Sequence, residues 1–226
     1  MLTNKLFATG ILGALVSFAG LVPPITATAG SSFVVDYDGF GGNPVHTILG
    51  LTSQVTFSNF TFTNQASYNR TRVTFQAHIE NTSGGPVTGS RVSGMGFKTT
   101  PDILRSAPNS VSGVFDNVTT NGNMPNGIGR VEFCFSDVNC AGGGGGGVTL
   151  GNEGTAYATL YFRNTGITSL TFDELYVRYQ SITGVRHITS ASGGPVVPEP
   201  AAYVVLSAGF AIIALRRLIA NPTKRR

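Results

Sequence analysis

Val73-Thr74-Phe75-Gln76-Ala77-His78-Ile79-Glu80 alternates apolar and polar side chains without a break. Successive side chains of an extended strand point to opposite faces. Val73, Phe75, Ala77 and Ile79 therefore share one face, and Thr74, Gln76, His78 and Glu80 the other. Outward from this stretch the same period returns. Ala156, Ala158, Leu160 and Phe162 oppose Tyr157, Thr159, Tyr161 and Arg163, while Leu175, Val177 and Tyr179 oppose Tyr176, Arg178 and Gln180. Period two over such lengths marks half-buried antiparallel strands. In Val55-Thr56-Phe57-Ser58-Asn59-Phe60-Thr61-Phe62 the apolar parity flips between Phe57 and Phe60. Ser58 and Asn59 then both face away from the core, as a β-bulge or a bend between sheets would arrange. No run between Gly30 and Ile188 keeps a helical period, and Thr, Val, Phe, Tyr and Ser dominate there. The expected fold is all-β: a single antiparallel β-sandwich over residues 30–188, Ig-like or jelly-roll-like, with two sheets packed face to face.

Three stretches read as connections. Between Thr99 and Gly129, Pro101, Pro108 and Pro125 with many Asn and Gly residues predict a long excursion carrying a short strand at Val111 to Val118. Residues 189–200 read as a Ser/Gly/Pro linker. Asp36-Tyr37-Asp38-Gly39 reads as a solvated turn; its two carboxylates also hint at a hard cation, without the twelve-residue calcium loop.

The ends of the chain differ from its body. Lys5 precedes an apolar stretch from Leu6 to Val22, and Ala27-Thr28-Ala29 follows with the small-x-small pattern that signal peptidase accepts. This predicts a signal peptide over residues 1–29, with cleavage after Ala29 and a mature chain beginning at Gly30. At the other end fifteen uncharged residues, Ala201 to Leu215, precede Arg216-Arg217 and a closing Lys224-Arg225-Arg226. Fifteen helical residues span about 22 Å, less than a hydrocarbon core of about 30 Å; snorkelling arginines and local thinning absorb the difference. Residues 201–226 are expected to form a transmembrane helix and basic tail, with Arg216 and Arg217 as the membrane stop and a cytoplasmic C-terminus. The body between the two segments then lies outside the inner membrane.

Charge follows the same division. The chain carries 15 basic and 11 acidic side chains. Lys5, Arg216, Arg217, Lys224, Arg225 and Arg226 lie in the targeting ends, and Glu199 beside them. The body holds nine basic and ten acidic groups. Its near neutrality gives no footprint for nucleic acid, and that partner class is excluded.

Cys134 and Cys140 are the only cysteines. An even count in an exported domain favours a disulfide, which in a seven-residue loop is worth about 2–2.5 kcal/mol in chain entropy. The alternative use, as metal ligands, would need two further ligands, and the histidines available are His46, His78 and His187. Six glycines, Gly142 to Gly147, follow at once. They have no side chains to pack, so the run is expected either to be mobile or to be approached closely by other atoms.

Pro198-Glu199-Pro200, the apolar helix and the arginine pair, in that order, resemble the PEP-CTERM sorting signal of bacterial surface and exopolysaccharide-associated proteins. Nine residues continue past the usual arginine end, from Leu218 to Arg226. The resemblance implies that Pro198, Glu199 and Pro200 mark the segment for an exosortase-type membrane protease. It also implies membrane anchoring before processing, and then a cell-surface or extracellular location with exopolysaccharide as a candidate partner. Val131 to Asp137, Cys140 and the glycine run are similar to the cistern group of such proteins. So are Gly94-Met95-Gly96-Phe97 before Pro101-Asp102, and Val177-Arg178-Tyr179-Gln180-Ser181-Ile182. That group brings no enzymatic activity with it.

No motif for chemistry stands out in the body. There is no G-x-S-x-G, no H-E-x-x-H and no phosphate-cradling glycine motif before a helix. Glu132, Asp137, Glu153, Asp173 and Glu174 offer carboxylates, but a paired-acid mechanism requires the fold to bring two together. Sugar-binding faces stack rings on aromatic side chains; this chain has no Trp, and outward Tyr157, Tyr161 and Tyr176 would have to serve. The expectation is a non-enzymatic exported surface or matrix protein with no catalytic residues, no metal site and no cofactor. A carbohydrate- or calcium-dependent binding module is the first alternative, and a secreted hydrolase the second.

Overall fold

The computed structural model describes residues 24–42 and 47–196. The sorting motif Pro198, Glu199 and Pro200, the membrane stop Arg216 and Arg217, and His46 lie outside these residues, as do residues 1–23 of the expected signal peptide. No helix among the described residues is long and apolar enough to cross a membrane.

The described chain is all-β and antiparallel. Its first half holds β1 (Ile25–Thr28), β2 (Phe33–Phe40), β3 (Thr47–Gln65), β4 (Arg70–Glu80) and β5 (Gly89–Thr100). Short strands follow in the excursion: β6 (Ser110–Gly113), β7 (Asn117–Thr120), β8 (Asn123–Met124) and β9 (Gly129–Arg130). The second half holds β10 (Phe133–Ser136), β11 (Val148–Thr149), β12 (Glu153–Arg163), β13 (Ser169–Thr183) and β14 (Ser190–Pro195).

Twelve of these strands form one hydrogen-bonded sheet in the order β6-β12-β4-β3-β2-β14-β13-β5-β10-β7, with β1 on β13 and β11 on β5. The two layers expected from sequence are thus continuous: β2 and β14 carry the hydrogen bonding from β3 around to β13. The sheet curls almost into a barrel, because its terminal strands β6 and β7 are consecutive in the chain and only three residues separate them. The turn between them is bonded to both halves, Val114 N to Thr155 O at 3.1 Å and Asp116 N to Ser136 O at 3.3 Å.

Phenylalanines from strands that do not pair with one another meet inside. Phe57 of β3 lies 5.8 Å from Phe97 of β5, and Phe75 of β4 lies 6.2 Å from Phe135 of β10. Phe172 of β13 touches Phe57, Phe60, Phe75 and Phe97. Offset and edge-to-face rings fill a curved interior well, because each arrangement pairs ring edges with ring faces. The alternating stretches read from sequence are β4, β12 and the second half of β13, with Val73, Phe75, Ala77 and Ile79 buried as the pattern requires.

The parity flip in β3 is a bulge. The β3–β4 register shifts between Ser58 and Thr61, and Asn59 takes a φ of 58°. The extra residue lets Phe57 and Phe60 both face the core.

Three local readings require correction, over residues 190–195, 36–39 and 111–118. Residues 190–195, assigned to the linker, form β14 between β13 and β2. Their small size misleads on composition but serves packing: a Cβ on Gly193 would stand 2.7 Å from both Tyr179 and Val177. Ile25–Thr28, within the expected signal peptide, pair with β13 as β1, which leaves that expectation untouched. Asp36-Tyr37-Asp38-Gly39 is strand interior in β2 rather than a turn, because Tyr37 is needed inside and is fully buried. The single strand expected over Val111 to Val118 is two, β6 and β7, at opposite ends of the sheet path.

Candidate functional site

The excursion folds back over the outer surface of the β13-β5-β10 layer. Cys134 and Cys140 are disulfide-bonded with Cα atoms 5.9 Å apart, and with Met124 and Val131 they form a second small core. Neighbouring residues of β10 thus serve two interiors, since Phe133 and Phe135 belong to the main one and Cys134 to the second. Gly96 makes this approach possible; a Cβ there would stand 2.2 Å from Met124 Sδ.

The glycine run continues the same wrapping. Gly146 N donates to Asp137 Oδ2 at 2.6 Å, Gly143 N donates to Gln180 Oε1 at 3.1 Å, and Gly147 N donates to Val114 O at 3.0 Å. Of the two readings of this run, close approach is the one seen. Beneath it Arg178 is buried without any ion pair among the described residues. Its Nε donates to Ala141 O at 3.0 Å and its Nη1 to Ala191 O at 2.7 Å. The Asn126 amide oxygen, oriented toward its donors, accepts from Nη1 at 2.8 Å and from Ser192 N at 3.0 Å. Burial holds the guanidinium below the usual arginine range.

Glu132 is the buried carboxylate. It accepts from Thr99 N at 2.9 Å, from Thr99 Oγ1 at 2.8 Å, and from Ile103 N. Burial raises its pKa, against the opposing pull of these donors. It borders a shallow depression of about 270 Å³ shared with Lys98, Asp102, Arg105 and Arg130. A larger hollow of about 540 Å³ lies among Ile48, Pro86, Val185 and Ile188, with Arg186 its one ionisable described side chain. It offers volume without reactive groups.

The arrangement with most chemical potential lies on the outer face of β12-β4-β3. Antiparallel register sets Glu153 opposite Glu80, and Thr155 opposite His78. Thr155 Oγ1 is 3.1 Å from His78 Nδ1, which fixes the ring and turns Nε2 toward the two carboxylates. Nε2 lies 3.8 Å from Glu80 Oε1 and 3.5 Å from Glu153 Oε2. Two carboxylates directly opposite one another repel, and a cation held between them offsets that repulsion. A divalent ion can play this part, since one ligand atom from each side chain lies within 4.8 Å of the others. Ligands about 2.0–2.2 Å from a tetrahedral zinc stand about 3.3–3.6 Å apart; the Nε2–Glu153 distance of 3.5 Å falls within this range and the Nε2–Glu80 distance of 3.8 Å is slightly longer. An imidazole with two carboxylates suits zinc or a related transition ion better than calcium.

The sequence places His78 and Glu80 on one polar face but leaves Glu153 among carboxylates without an assigned partner. The missing signal was the β4–β12 register, which alternation does not fix. The acids considered for hydrolysis are engaged by separate partners: Glu132 by Thr99 and Ile103, Asp137 by Gly146, Glu153 by His78. Of the outward tyrosines, Tyr157 is exposed, Tyr161 is covered by the Arg70 guanidinium 4.2 Å above its ring, and Tyr176 packs against the second core. His187 is exposed at a φ of 61°. Of the expected signal-cleavage residues, Ala27 is fully buried in β1 and Ala29 is exposed in the turn that follows.

Comparison of the chain with family models, curated proteins and solved structures returned no match.

Proposed function

We propose that this chain is an exported bacterial cell-surface or extracellular-matrix protein without catalytic activity, associated with exopolysaccharide. Signal peptidase would release it from its N-terminal segment. An exosortase-type membrane protease would process it at Pro198, Glu199 and Pro200, after transient anchoring by residues 201–226. The observation that carries this reading is the pairing of two apolar, base-flanked ends with a near-neutral body between them. A disulfide in that body fits an oxidising compartment. Its most buried charges, Glu132 and Arg178, are bonded to backbone groups and hold loops in place.

The test is fractionation of an exosortase-bearing host that expresses the full chain or its Glu199→Ala variant. The unaltered protein should be recovered at the surface or in the medium with its C-terminal segment removed. The variant should stay in the inner membrane at its longer mass. Equal distribution of the two would overturn the sorting reading.

A second reading, a cation-dependent binding module, is favoured by the His78–Glu80–Glu153 geometry and by exposed Tyr157 on the same face. Calorimetry of the recovered protein with Zn²⁺ and Ca²⁺, then with glycans, tests it. Zinc binding lost in His78→Ala would support it, and flat titrations would remove it.

A further inference from the structure

We infer that the mature exported protein retains β1, and that signal peptidase cuts at Ala19–Gly20, upstream of the strand, rather than after Ala29. This rests on the export reading above and refines where processing falls. Ile25, Thr26, Ala27 and Thr28 pair in unbroken register with Phe172, Thr171, Leu170 and Ser169. One edge of β13 is occupied by β5, and β14 takes residues 177–180 of the other edge. β1 takes residues 169–172 of that edge, and Thr26 Oγ1 lies 3.0 Å from Thr171 Oγ1 across the pair.

The strand is tied inward and onward. Ala27 is fully buried in the main core, with Ile25 packed against it. The chain then turns through a motif that joins strand to body. Ser31 Oγ donates to Thr28 O at 2.8 Å and accepts from Thr28 N at 3.0 Å, and Gly30, at a φ of 74°, donates from N to Phe60 O at 2.9 Å. Hydrolysis between Ala29 and Gly30 would cut through the middle of this turn. It would detach a strand from the sheet and leave unpaired the edge of Ser169–Phe172 that faces β1. Exposed unpaired edges invite association with other chains, a cost that natural sheets avoid.

The sequence offers a site that spares the strand. Ser17-Phe18-Ala19 places small residues at the third and first positions before a cut. The apolar run from Leu6 to Val16 is then eleven residues, inside the range of about 7–15 for a signal h-region, whereas Leu6 to Val22 is seventeen. In this step water adds across the Ala19–Gly20 peptide bond, giving a carboxylate on Ala19 and an amine on Gly20.

The experiment expresses the full chain in a bacterial host with signal-peptidase-dependent export and reads the N-terminal peptide of the recovered protein by mass spectrometry. A Gly20 start is expected. Ala29→Leu should leave processing unchanged, and Ala19→Leu should slow it at least tenfold. Hydrogen exchange on the recovered protein should protect the amides of residues 26–28 and 169–172 together. A Gly30 start, or a block caused by Ala29→Leu, would overturn the inference and leave the export reading intact. An uncut precursor in the cytosol would overturn both.

Discussion

Buried hydroxyls set a sharp contrast at the residue scale. Tyr37 and Tyr179 are both fully buried, and burial raises the pKa of each. The Tyr179 hydroxyl lies 2.7 Å from Ser53 Oγ, whereas the Tyr37 hydroxyl has no hydrogen-bond partner among the described residues. An unpaired buried donor costs about 1–3 kcal/mol, so removing it is favourable or neutral. Urea unfolding should therefore show Tyr37→Phe as stable as the parent or more so, and Tyr179→Phe about 1 kcal/mol less stable for orphaning Ser53. Glu132 makes a pH prediction. Its folded pKa lies above the ordinary carboxylate value, so between the two values the native state holds the proton more tightly than the unfolded chain. Its contribution is present below the unfolded value and is lost as pH rises through the folded one. Unfolding free energy measured across that window should fall with pH in the parent relative to Glu132→Gln, and the difference should level off above it.

At the scale of the element, the glycine run separates into positions that need glycine and one that does not. Gly147 has a φ of 102°, and a Cβ there would stand 2.2 Å from Val92 O. Gly145 has open space around its would-be Cβ and no positive φ. Gly147→Ala should lose about 2 kcal/mol or more in denaturant titration, while Gly145→Ala should be neutral or gain about 0.4–1 kcal/mol by restricting the unfolded chain. Elements with bulky alternating residues were the legible ones: β4, β12 and the second half of β13 follow from period two, and the β3 bulge from a parity flip. β14 was illegible because Ser190, Ala191, Ser192, Gly193 and Gly194 carry no strand signal of their own; they form a strand because Tyr179 and Val177 leave room only for small neighbours. β1 was hidden by a targeting pattern written over the same residues. Half of the His78–Glu80–Glu153 group was legible, since one strand puts His78 and Glu80 on one face. The other half depends on a pairing between strands distant in sequence.

For the whole molecule, the hairpins β2–β3, β3–β4 and β13–β14 are local, but the pairings that close the sheet are long-range: β1 with β13, β2 with β14, β4 with β12. Closing such loops costs entropy before contacts repay it, so folding is expected in the millisecond-to-second range. Stopped-flow refolding of the full chain, followed by tyrosine fluorescence, checks this. A chain ending at Thr189 should lose its cooperative urea transition, because it lacks the strand through which β2 and β13 are joined.

That joining strand is also the last of the described strands to be made. Synthesis proceeds from the N-terminus, yet the place β14 occupies lies mid-sheet, between the second strand and the thirteenth. Residues 25–183 can collapse and begin to pair, but the seam stays open until residue 195 arrives. The fold behaves like an arch whose keystone is delivered last, so a stalled or clipped chain is left as an open shell, and only a finished one can lock.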